Sequence, residues 1–149
     1  MTRLAAVDAQ TYWMSTKIPN DQFVLYGFGG VPGDLEGALA SVRRNASDCP
    51  ELLVRIDDSD RRRYPAWVQG EVGEGSYFRH ELEDGTWSGC LQAVSALVGD
   101  QLDATLLPWR LHLFSNVDGV PGVSGAGTVA VVQISHALGD GNRSSALAG

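Results

Sequence analysis

The run Thr128-Val129-Ala130-Val131-Val132-Gln133 constrains the fold more than any other stretch of the chain. It is short, β-branched and bounded by glycines, and so reads as a strand buried on both faces. Directly after it stands Ile134-Ser135-His136-Ala137-Leu138-Gly139-Asp140-Gly141, a histidine followed by a turn that holds an aspartate and a glycine. A side chain at the end of a core strand has a rigid base and faces open space, which suits a general base. An ordinary imidazole, with a pKa of ~6.5, is half ready to take a proton near neutral pH. His136 is therefore the candidate catalytic residue.

The rest of the pattern alternates helix and strand. A helix is expected over 7–14 with Asp8 as its N-cap, and an aromatic-rich strand over 22–28. Asp34-Leu35-Glu36 opens a helix running to about Ser47, with Leu35, Leu39, Val42 and Ala46 at the helical spacing of a buried face. Strands are expected over 52–56, 66–68 and 78–82. An amphipathic helix follows over 87–98, then a late pair of strands over 109–114 and 128–135. Asp118-Gly119-Val120-Pro121-Gly122 is the turn between them. A last helix begins over 142–147. This order places the chain in the α/β class.

Composition narrows the function. A chain of 149 residues fits one domain, and a domain of that size buries roughly 70% of its extended surface. The formal net charge of -7 argues against nucleic acid, which needs a basic face. Cys49 and Cys90 are far apart and read as buried reduced thiols of a cytoplasmic protein. The amino terminus has no signal-peptide pattern, and no apolar run approaches the ~18 residues that span a bilayer. Any contact with a membrane or lipid droplet is expected to be peripheral.

Several ordered elements carry a resemblance. Leu4-Ala5-Ala6-Val7-Asp8-Ala9, Tyr64-Pro65-Ala66-Trp67-Val68 and Leu107-Pro108-Trp109-Arg110-Leu111 precede the His136-x-x-x-Asp140-Gly141 signature. Together they resemble the amino-terminal part of the bacterial wax ester synthase/diacylglycerol acyltransferase family. That family belongs to the CoA-dependent acyltransferase and condensation-domain superfamily, whose signature is His-His-x-x-x-Asp-Gly. Ser135 stands where the first signature histidine would be, and the family's Pro-Leu-Ser-Pro opening is replaced by Leu4-Ala5-Ala6-Val7. Family members are about three times longer. The resemblance thus implies residues 1–149 as a single amino-terminal acyltransferase half-domain, with the carboxy-terminal half absent: a fragment, a truncated gene product or a half-domain by itself. The implied fold is the amino-terminal half of a chloramphenicol-acetyltransferase-like architecture, a mixed sheet flanked by helices.

The resemblance implies an acyl-CoA-dependent O-acyltransferase of the wax ester or triacylglycerol type, incomplete and inactive alone. Acyl-CoA would be the co-substrate, with no bound cofactor, and a long-chain alcohol or diacylglycerol the acceptor. A separate carboxy-terminal half or a homo-oligomer would be the protein partner. A non-enzymatic remnant or interaction module of the same fold is the first alternative. A condensation-type enzyme using carrier-bound acyl groups is the second.

The other candidates read more plainly. In the superfamily the aspartate matching Asp140 points away from the site and pairs with a distant arginine, so Asp140 and Gly141 are read as structural. Ser135 is read as a neighbour supporting the site: consecutive strand residues face opposite ways, and no Gly-x-Ser-x-Gly elbow surrounds it. Gly27-Phe28-Gly29-Gly30 lacks dinucleotide-binding spacing and reads as a strand end. Asp57-Asp58-Ser59-Asp60 lacks the pattern of a calcium loop. Arg61-Arg62-Arg63 reads as charged surface. His80 and His112 share no metal spacing with each other or with His136, so no metal is expected. Trp67, Trp87 and Trp109 read as core anchors.

Overall fold

Strand β7, Ala126–Ile134, lies inside a four-stranded sheet in the computed structural model, which describes residues 2–70 and 76–138. It pairs antiparallel with β2, Gln22–Gly29, on one side and with β6, Trp109–Asp118, on the other. Strand β5, Tyr77–His80, adds to β6 in parallel and forms the far edge. This sheet is mixed, as expected. A second, antiparallel sheet joins β1 (Thr2–Arg3), β4 (Ala66–Gln69) and β3 (Val54–Asp57) in the order β1-β4-β3. The sequence does not announce this division, because strands so short show too little alternation to assign to a sheet.

The apolar run is buried on both faces. Val129 and Val131 pack with Phe114, Val117 and Val120, under Cys90 and Val94 of helix α3, Trp87–Leu97. Ile134, on the opposite face, packs with Tyr77, Trp109 and Leu138, under Leu39 and Ala46 of helix α2, Leu35–Ser47. Each fully buried valine or isoleucine of this kind is worth ~1.5–3 kcal/mol. Helix α1, Ala6–Ser15, sits elsewhere: its Ala9 and Tyr12 join Leu4, Ile56, Ala104 and Ala137 in a third cluster. Among the described residues no helix is long and apolar enough to cross a membrane.

Caps explain two helix starts. Asp34 accepts from the Gly37 amide at 2.9 Å, and Thr86 from the Gly89 amide at 3.1 Å, each worth ~1 kcal/mol. The expected cap at Asp8 is not one: Ala5 holds that position and Asp8 lies inside the first turn, where its charge faces the positive helix end. The apolar face expected on α2 is also narrower, since Val42 is 39% exposed.

Strand limits shift for local reasons. The strand expected over 52–56 starts at Val54, because Pro50–Leu52 is a 3₁₀ turn; proline's fixed φ favours the first position of such a turn. The strand expected over 78–82 is Tyr77–His80. Strand β6 continues past Phe114 to Asp118 through a bulge, where Asn116 takes a φ of 57°. The turn beyond it uses Gly119 and Gly122 at φ 82° and 76°, angles that side chains resist. Asp140, Gly141 and the helix expected over 142–147 lie outside the described residues.

Candidate functional site

Strand β7 ends at Ile134, not at Ser135, and His136 opens a 3₁₀ turn, His136–Leu138. Two backbone hydrogen bonds and two buried side chains hold the turn. The Ser135 amide donates to the Pro108 carbonyl at 2.8 Å, and the Leu138 amide to the Ser135 carbonyl at 2.9 Å. Ala137 is inserted in the α1 cluster and Leu138 in the α2 cluster, each 1% exposed. His136 itself is half-buried. Its ring has no hydrogen-bond partner among the described residues, so no side chain there fixes its tautomer.

This changes the account of Ser135. Strand alternation cannot separate Ser135 from His136, because the strand has already ended. Burial separates them instead: Ser135 is 2% exposed and sits beneath the turn. The site is therefore a half-exposed imidazole on a pinned corner where β7, α1 and the start of β6 meet. It can accept a proton. The cavity of about 270 Å³ beside Phe28 and Pro32 and the one of about 370 Å³ beside His80 and Leu113 do not include His136 in their linings.

A second polar cluster is built across the main sheet, and spacing gave no hint of it. His80 Nε2 lies 2.8 Å from His112 Nδ1. His112 Nε2 lies 2.9 Å from Gln133 Oε1. Gln133 Nε2 donates to Asp21 Oδ2 at 2.8 Å and to the Asp100 carbonyl at 2.9 Å. Asp21 Oδ2 also accepts from the Leu102 amide at 2.8 Å. His112 and Gln133 are 1% and 0% exposed. Burial pushes the pKa of both imidazoles down; at His112 the bond to Gln133 opposes this, while His80 and Arg110 add to it. Burial raises the Asp21 pKa against the bonds from Leu102 and Gln133. No group of three or more metal-ligating side chains is present among the described residues.

The remaining candidates fall where expected, with two exceptions. Arg61, Arg62 and Arg63 are exposed, and Gly29 ends β2. Trp109 is buried and donates to the Leu52 carbonyl at 3.0 Å, whereas Trp67 and Trp87 are only partly buried. Cys90 is a buried free thiol, but Cys49 is half-exposed beside Glu51.

No protein-family model matches the chain, and no curated protein matches its sequence. Solved structures do match. A wax ester synthase/diacylglycerol acyltransferase from Marinobacter aquaeolei VT8 aligns with a TM-score of 0.71 at 21% identity, over 99% of this chain and 37% of that one. The starter condensation domain of rhizomide synthetase RzmA aligns with a TM-score of 0.74 at 15% identity, over 99% and 35%. A variant of that domain in complex with C8-CoA aligns at 0.68 and 15%, over 91% and 31%. The chain spans about a third of the length of these proteins. Its fold is the one found in about a third of each of these acyltransferase and condensation-domain structures.

Proposed function

We propose that this chain is the amino-terminal half-domain of an acyl-CoA-dependent O-acyltransferase, with His136 as general base. The observation that carries the reading is the pinned turn: His136 is half-exposed directly after the core strand of a fold shared with such enzymes. The base takes the proton of an alcohol as its oxygen attacks the thioester carbonyl. The carbon–sulfur bond then breaks, and the imidazolium returns the proton to the CoA sulfur. The products are an ester and free CoA. Asp140 and Gly141 are read as structural and not chemical participants, and a long-chain alcohol or diacylglycerol would be the acceptor.

A second reading rests on the condensation-domain alignments, in which carrier-bound acyl groups would replace acyl-CoA. One experiment separates the two. The chain is joined to the remaining two-thirds of the wax ester synthase and offered acyl-CoA with a long-chain alcohol. Ester and CoA formed in equal amounts, and lost on His136→Ala, support the first reading. Turnover only with an acyl group on a carrier protein supports the second. No turnover with either, from a folded chimera that binds neither donor, would leave a non-enzymatic module.

A further inference from the structure

We infer that His80 and His112 form an acid-operated latch holding the edge strand β5 to the rest of the main sheet. The argument starts from Gln133. Its Nε2 faces two acceptors, Asp21 Oδ2 and the Asp100 carbonyl, so its oxygen must face His112. An amide oxygen only accepts. His112 therefore carries its proton on Nε2, and its Nδ1 is a bare acceptor. His80 must then carry its own proton on Nε2 to make the 2.8 Å bond. The direction of every bond in the chain is fixed from Asp21 outward.

This order sets how many protons the pair can hold. A first added proton can go to His80 Nδ1, leaving the N–H···N bond intact. A second has only His112 Nδ1 left, where it would point at the His80 Nε2 proton. Two donors and two positive charges would then meet inside the sheet, and the pair must part. His80 sits on β5, an edge strand with pairing on one side only. His112 is fixed on β6, which is paired on both sides, with β5 and with β7. Release therefore falls on β5.

The surroundings do not neutralise the second charge. Arg110 of β6 adds a positive charge, and Asp100, to which it is paired at 3.6 Å, offsets that. Asp21 is reached only through Gln133. Arg79 and Glu81 flank His80 and line the same cavity, and Arg79 is paired with Glu36. Helix α3, which covers this face, brings no charged side chain; its one titratable group is the Cys90 thiol, which burial keeps neutral.

The test is amide hydrogen exchange across β5, corrected for intrinsic rates, as pH falls from about 7.5 to about 5. Protection at Tyr77–His80 should fall about tenfold or more while β7 holds. His80→Gln keeps a donor for His112 but leaves one titratable ring, so its β5 protection should stay flat. Equal loss in His80→Gln, or constant protection in the unaltered chain, overturns the inference. If His80→Gln does not fold, imidazole ¹⁵N spectra of the unaltered chain decide. The latch requires both rings protonated on Nε2 at neutral pH and two separated titration steps. An Nδ1-protonated His112, or a single step near the ordinary value, overturns it.

Discussion

His80 and His112 lie diagonally across the parallel pair β5 and β6, with ring nitrogens 2.8 Å apart and ring centroids 5.0 Å apart. Phe114 stacks on His80 at 4.6 Å, so the pair is packed as well as hydrogen-bonded. Two imidazoles in contact are tolerable only when their protons alternate, and the alternation is imposed from Gln133.

Gln133→Ala should therefore be costly although it removes no charge. Gln133 bonds His112, Asp21 and Asp100 at once and is 0% exposed. Each buried polar group left without a partner costs ~1–3 kcal/mol, so the loss should be about 3 kcal/mol or more. For a chain of this size that lowers the thermal midpoint by roughly 6–12 °C. A midpoint within about a degree of the unaltered protein would mean that water replaces the amide at no cost.

Stability should fall as pH drops below the imidazole range. The folded pKa of both His80 and His112 is below the ordinary value, so the unfolded chain binds more protons between the two pKa values. Stability then rises with pH across that window. It is fully present above about pH 6.5, where neither state is protonated, and declines below. Asp21 acts with the opposite sign, because its folded pKa is raised: it gains stability as pH falls through that pKa, offsetting part of the loss. Midpoints measured from pH about 8 to about 5 should decline, and His112→Gln should flatten the curve. A rising curve would contradict the assigned direction.

Much of this was legible in the sequence because it depends on local pattern. The β-branched run gave the central strand, and Asp34 with the Leu39 and Ala46 spacing gave α2. The end of β7 and its histidine came from the same segment. What stayed hidden depends on pairing across distance. His80, His112 and Gln133 come from three strands, and their meeting is set by a register in which His80 is opposite Phe114 and His112 opposite Val131. The signal present was one of misfit: Gln133 ends an apolar run, and His112 interrupts another at buried parity. A polar residue at a buried position demands a partner, but the sequence does not say which. Ser135 is a further case: strand alternation does not reach it, because β7 ends at Ile134, and only its burial sets it apart from His136.

The 149-residue chain alone should release little CoA from acyl-CoA in the presence of a long-chain alcohol. The structures it matches are about three times as long, and His136 is half-exposed. Positioning and charge stabilisation each supply roughly several kcal/mol of barrier lowering, and in the longer structures the rest of the chain can contribute to both. CoA release should be followed by mass spectrometry, since Cys49 would consume thiol reagents. Robust release by the chain itself, abolished by His136→Ala, would show that the described site suffices.

Joined to the remaining two-thirds of the wax ester synthase, His136→Ala and Ser135→Ala should separate cleanly. His136 is half-exposed at the head of the pinned turn, whereas Ser135 is 2% exposed beneath it. Only His136 can reach a substrate without unfolding the corner. Loss of a general base typically lowers the rate by ~10²–10⁴. Ser135→Ala keeps the backbone bond to Pro108, so it should lower the rate a few-fold at most and shift the thermal midpoint by only ~2–4 °C. The pH profile adds a second check: the limb that reports the base should vanish in His136→Ala and persist in Ser135→Ala. Equal and large losses from both, in folded proteins, would place the Ser135 hydroxyl in the chemistry and overturn the separation by burial.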